Sequence, residues 1–154
     1  MVVIEKLKVS WSKVGKQIEE LKCRVSRFPV EFSRVVGISR GGLIPAIALS
    51  HKLNLPFSVV GVSSYNDETN EQESLICDTP DVVFEGWEGN VLVIDDLTDS
   101  GTTLDFLIKK MRRNPNIKKI ITATLYYKER SIIKPDIFIE TTDKWVEFCW
   151  ESSE

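Results

Sequence analysis

The sequence predicts an α/β domain built on a mainly parallel, twisted sheet flanked by helices. Three observations carry this. Val91-Leu92-Val93-Ile94 is a run of four β-prone aliphatics, as a strand covered on both faces requires. Two separate segments repeat the order strand, glycine-bearing turn, amphipathic helix. The length of 154 residues suits one domain, taken here as residues 1–154. No apolar run approaches the roughly 18 residues of a membrane span, and Met1-Val2-Val3-Ile4 is too short and too soon charged for a signal peptide. No membrane span and a cytoplasmic location are therefore expected. A net charge of -3 gives no ground for nucleic-acid binding. Cys23, Cys77 and Cys149 are far apart and His51 is the single histidine, so reduced, mostly buried thiols are expected rather than a disulfide framework or zinc site.

Each element follows from its pattern. Trp11, Val14, Ile18, Leu21 and Val25 recur on one helical face, with Ser10 or Ser12 as N-cap. Val35-Val36-Gly37-Ile38 reads as a short buried strand running into Ser39-Arg40-Gly41-Gly42. Leu43, Ile44, Ile47, Ala48 and Leu53 then mark a second helix, with Pro45 tolerated near its first turn. Phe57 to Ser63 is the next strand; it leads into Ser64-Tyr65 and an acidic stretch, 66–74, that reads as a loop or hairpin tip. Val82-Val83-Phe84 reads as a short strand, Gly86 to Gly89 as a turn, and Trp87 as packing. After the aliphatic run, Leu104, Leu107, Ile108 and Met111 describe a helix that ends in a basic cluster, Lys109 to Lys119, read as a solvated face. Ile120 to Tyr127 is a strand presenting Lys128 at its end, and Ile137-Phe138-Ile139 is a last core strand. The aromatic-rich tail from Trp145 to Trp150 should be pinned down rather than free.

The chemistry concentrates where strand 91–94 breaks into Asp95-Asp96-Leu97-Thr98-Asp99-Ser100-Gly101-Thr102-Thr103. This loop joins a strand's carboxyl end to a helix's amino end, so Ser100 to Thr103 can offer backbone N–H groups and hydroxyls to a phosphate, aided by the helix dipole. No lysine follows the glycine in Walker A spacing, and the dinucleotide glycine pattern is missing. Three carboxylates would weaken a bare phosphate site. Asp95 and Asp96 therefore suit sugar hydroxyls or a hydrated Mg²⁺, with Asp99 facing a developing cation or a proton donor. Such a ligand has the character of a phosphorylated sugar. In the other turn, Arg40 adds a fixed cation for phosphate oxygens and the glycines permit unusual backbone angles.

Residues 95–103 resemble the 5-phosphoribosyl 1-diphosphate (PRPP) motif of the type I phosphoribosyltransferases. With the turn at 39–42, Ser64-Tyr65, Lys128 and Trp145-Val146, the whole chain resembles the small bacterial xanthine-guanine (6-oxopurine) members. The resemblance implies transfer of a 5-phosphoribosyl group from PRPP to N9 of a 6-oxopurine (guanine, xanthine or hypoxanthine) with Mg²⁺ as cofactor, in a homodimer or homotetramer. It implies that Asp95 and Asp96 hold the ribose and the metal, that Ser100, Gly101, Thr102 and Thr103 hold the 5-phosphate, and that Asp99 exchanges a proton with the base. Ser39, Arg40, Gly41 and Gly42 would hold pyrophosphate, with a cis peptide between Ser39 and Arg40. Lys128 would donate to the carbonyl of the base, Trp145 would stack on its ring, Val146 would bond its edge through the main chain, and the C-terminal segment would form a small hood. Ser64 and Tyr65 would open the closing loop. There the chain departs from the pattern: no Lys or Arg occurs from residue 53 to 108, where relatives place a basic residue against pyrophosphate. A regulatory protein that senses PRPP or a nucleotide without turnover is the alternative that the acidic stretch suggests.

Overall fold

A computed structural model of the protein describes residues 3–66 and 73–151. In chain order the elements are β1 (Lys6–Val9), α1 (Trp11–Arg27), β2 (Phe32–Ser39), α2 (Leu43–Leu53), β3 (Phe57–Asn66), β4 (Glu73–Cys77), α3 (Asp81–Glu85), β5 (Gly89–Thr98), α4 (Thr102–Met111), β6 (Ile117–Tyr127), β7 (Ile137–Thr141) and β8 (Trp145–Phe148). The main sheet runs β4-β3-β2-β5-β6-β7. Every pairing in it is parallel except β3 with β4. A second, two-stranded parallel sheet joins β1 to β8.

The aliphatic run works as its composition requires. Leu92 and Ile94 enter one apolar cluster with Val14, Ile18, Leu21 and Val25 of α1 and Ala46 and Leu49 of α2. Val91 and Val93 enter the cluster on the other face, with Leu104, Leu107 and Met111 of α4. All four are fully buried, and side chains of this kind stabilise by about 1.5–3 kcal/mol each relative to exposure, before ordering entropy. Because successive strand residues point to opposite faces, a polar residue at any of the four would enter one core or the other. Gly37 is where α2 lies closest to the sheet: a Cβ there would stand 2.8 Å from that of Ala46.

Helix α1 begins where the hydroxyl of Ser10 accepts from the Lys13 N–H at 3.1 Å. Trp11 leaves the buried stripe and is 58% exposed, because it precedes the first full turn; its ring meets the edge of Trp150. Cys23 lies off the Leu21/Val25 stripe and is exposed, while Cys77 and Cys149 are intermediate, which corrects the expectation of mostly buried thiols. The expected strand at Val82-Val83-Phe84 is instead helix α3. Pro80 caps it with φ −60°, Asp81 occupies the first turn, and only Phe84 of the three is buried. The side-chain amide of Asn114 secures the helix by donating to the Phe84 and Trp87 carbonyls at 2.6 and 2.9 Å. Strand β1 has no counterpart among the expected elements. Among the described residues no helix is long and apolar enough to cross a membrane.

Candidate active site

Strands β2 and β5 are neighbours in parallel register, Val35 to Gly37 against Leu92 to Ile94, so their carboxyl ends deliver two loops to the same edge. The loops touch. A Cβ on Gly41 would lie 2.1 Å from an Asp96 carboxylate oxygen and would displace that carboxylate, and one on Gly42 would lie 2.4 Å from the Ile94 carbonyl and would force the backbones apart. The Ser39-Arg40 peptide is cis, as the resemblance implied. Arg40, Gly41 and Asp96 line a cavity of about 640 Å³ together with Trp150 and Glu151.

The second loop forms a smaller cavity of about 110 Å³ lined by Asp95, Leu97, Thr98, Asp99, Ser100, Gly101, Thr103 and Leu104. Gly101 caps α4 at φ +82°, a conformation that glycine adopts without strain, and a Cβ there would stand 2.2 Å from the Ser131 hydroxyl. The hydroxyls of Ser100 and Thr102 are 2.9 Å apart. Thr98 Oγ1, also facing this region, is buried with no hydrogen-bond partner among the described residues.

A third cavity, about 590 Å³, is lined by Lys128, Glu129, Arg130, Thr141, Thr142 and Asp143. Lys128 directly follows β6 and lies against the second loop, its backbone N–H donating to the Thr98 carbonyl at 2.9 Å. Its ammonium is buried and 3.4 Å from Asp99 Oδ2. The chain is matched over residues 13–153 by the Phosphoribosyl transferase domain family. It belongs to that family. It is 34% identical to a xanthine-guanine phosphoribosyltransferase of Idiomarina loihiensis, over 93% of this chain and 85% of that enzyme. It is 30% identical to the enzyme of the same name from Cereibacter sphaeroides, with the same coverage. Among solved structures, a purine phosphoribosyltransferase from Pyrococcus horikoshii Ot3 superposes with a TM-score of 0.83 at 28% identity, covering 98% of this chain and 97% of that one.

In this phosphoribosyltransferase the aspartate pair is electrostatically unusual. Asp95 Oδ1 accepts from the Asp96 N–H at 2.9 Å. Each residue keeps some accessible surface, yet both lie deep among protein atoms. Burial pushes the Asp95 carboxyl well above its ordinary pKa, with the Asp96 charge adding to it. Burial raises Asp96 too, and Glu151 contributes in the same direction. The folded protein thus holds these protons more tightly than the unfolded chain. The resulting stabilisation is complete below the ordinary carboxylate value, roughly 3.9, and is lost as pH rises through the folded-state values. The protein therefore loses stability as the pH rises from there towards neutral. Asp95→Asn should raise its Tm at pH 7, by about 2–4 °C per kcal/mol relieved, and the gain should vanish near pH 4. Thermal melts of the two proteins at both pH values check this, and an unchanged or lower Tm for Asp95→Asn at pH 7 would refute it.

The remaining expected residues are placed as follows. Trp145 opens β8, is 54% exposed, and donates its backbone N–H to the Glu5 carbonyl. It does not line the cavity beside Lys128, although Asp143, two residues earlier, does. The Val146 side chain is buried in the first core cluster. The backbone of Ser64 and Tyr65 lies in β3, opposite Leu75 and Ser74 of β4; most of the acidic stretch, residues 67–72, lies outside the described residues. Of the residues at these cavities that were not anticipated, two make the most telling contacts. Trp150, expected only to pack, stacks on Phe148 at 4.6 Å between ring centroids and also walls the Arg40 cavity. Arg130 bonds Asp99; the sequence signal was its place two residues beyond a strand-end lysine.

Proposed function

We infer that this protein is a purine-salvage phosphoribosyltransferase, moving the 5-phosphoribosyl group of PRPP to N9 of guanine, xanthine or hypoxanthine and releasing pyrophosphate. The observation that supports it most is the contact between the Gly41 turn and Asp96, which sets two anion-binding loops beside each other at adjacent strand ends, where open α/β sheets take their ligands. The Arg40 loop would hold pyrophosphate. The small cavity at the α4 amino end would take the 5-phosphate, with the unpartnered Thr98 hydroxyl as a further hydrogen-bonding group beside it. Asp95 and Asp96 would steady the ribose between them. Opposite, Lys128 would donate to the 6-carbonyl of the base, an interaction that a 6-amino group cannot accept.

The donor set fits Mg²⁺. Two adjacent carboxylates, whose ionised forms burial disfavours, gain from a facing cation, and this ion commonly completes its shell with substrate oxygens and water. Among the described residues no group of three acidic, histidine or cysteine side chains is placed to hold a metal unaided. Asp95 and Asp96 would hold the ion, which when bound supplies neutralisation of pyrophosphate charge.

In the reaction the base nitrogen forms its bond to the anomeric carbon as the carbon–oxygen bond to pyrophosphate breaks. The electron pair leaves with pyrophosphate, and the proton of the base passes to Asp99. Charge builds on the ribose in an oxocarbenium-like state, so most of the catalysis is electrostatic placement. A homodimer or homotetramer in the cytoplasm is the working form in this reading; exposed Ile47, Val59 and Ile76 offer apolar surface for a second copy. Incubating the protein with Mg²⁺, PRPP and each of guanine, xanthine, hypoxanthine, adenine and orotate, then measuring pyrophosphate, tests it. Release with the three 6-oxopurines alone is the expected outcome. No release with any base would leave a non-catalytic binding protein.

A further inference from the structure

Asp99 is held from two sides, and unequally. Arg130 donates Nε–H to Oδ1 at 2.8 Å and places a second guanidinium N–H on the same oxygen. Lys128 reaches Oδ2 only at 3.4 Å, the long end of a hydrogen bond. The lysine is the buried partner, its side chain 7% exposed, whereas Arg130 is 69% exposed. The turn carrying Arg130 is closed by the Ser131 N–H donating to the Lys128 carbonyl and docked on the PRPP loop by the Ile132 N–H donating to that of Ser100, each 2.9 Å. Ser131 and Ile133 fill the space that a side chain on Gly101 would need. The guanidinium is thus brought to Asp99 by the fold, not by a loose surface encounter.

Two cations share one carboxylate, so the triad carries a surplus positive charge. Deepening the transferase reading, on which this rests, we propose that Arg130 is a positioning residue. It neutralises Asp99 through Oδ1, which leaves the Lys128 ammonium unspent for the carbonyl of the base and leaves Oδ2 as the oxygen that receives the proton. Without it, Asp99 and buried Lys128 close into a full ion pair, and the incoming base must break that pair to bind.

Steady-state kinetics of wild type, Arg130→Gln and Arg130→Lys with guanine and PRPP test this. For Arg130→Gln the KM for guanine should rise about tenfold, the size of a 1.4 kcal/mol loss, with the KM for PRPP and the Tm unchanged. Arg130→Lys, which restores the charge with a single donor group, should recover most of the loss. An unchanged guanine KM in Arg130→Gln overturns the role, as does an equal rise in both KM values or an Arg130→Lys protein no better than Arg130→Gln. Absence of turnover in the wild type overturns the transferase reading instead, and this inference with it.

Discussion

Asp99→Asn should bind PRPP as the wild type does and turn it over about 10²–10⁴ times more slowly, the usual contribution of a positioned proton acceptor; that is roughly 3–5.5 kcal/mol of barrier. The amide keeps the size of the carboxylate and an oxygen for Arg130 and Lys128, so the docking of the 128–133 turn survives. What it cannot do at neutral pH is take up the proton of the base. PRPP affinity should hold because the Asp95/Asp96 pair, Arg40 and the Ser100–Thr103 turn are untouched. Asp99→Ala should be as slow but less stable, since it leaves buried Lys128 without the carboxylate 3.4 Å away; because Asp99 is itself 36% exposed, the cost should fall below the roughly 3–5 kcal/mol of breaking a fully buried pair. Calorimetric titration with PRPP and single-turnover nucleotide formation separate the two quantities. A turnover within a few-fold of wild type in Asp99→Asn would remove Asp99 from the reaction.

Lys128→Ala should weaken guanine binding by roughly 1.5–3 kcal/mol, the worth of a charge-assisted hydrogen bond, which is about 10- to 150-fold in affinity. Discrimination against adenine should fall by a similar factor, because the variant has lost the donor that favours a carbonyl over an amine. Here Asp99 is not stranded: Arg130 already bonds it at 2.8 Å. The protein should stay folded, with PRPP affinity retained. Affinities for guanine and adenine measured on one preparation check both parts, and unchanged guanine binding would show that Lys128 serves structure alone.

The sequence revealed those features whose signal is local. A run of four aliphatics ending in carboxylates, and a glycine pair after a β-branched strand, identify strand ends and loops because burial and backbone freedom act residue by residue. The adjacency of the two loops arises from strand order, which places β2 beside β5 and which no local pattern carries. Local propensity misled at Val82-Val83-Phe84, where two β-branched residues and an aromatic read as a strand. Pro80, Asp81 and the amide of distant Asn114 outweighed that preference. Lys6 to Val9 gave no readable strand because four residues alternating charge and apolarity become one only when a partner is present, and β8 comes from the far end of the chain. Arg130 escaped notice because an arginine in a polar turn is ordinary until the fold shows which carboxylate it meets. Trp150 was read as packing because an aromatic in a pinned tail needs no other account; its view of the Arg40 cavity depends on tertiary placement.

The small sheet of β1 and β8 has a consequence for biosynthesis. Residues 6–9 are made well before residues 145–148 and stay unmatched until those are available to pair. The turns at 39–42 and 95–103 rest on β2 and β5, which are both complete before β8 is made. A nascent polypeptide halted between Thr141 and Trp145 would thus hold both loop-bearing strands yet leave β1 unpaired, so the small sheet reports whether translation has passed residue 148.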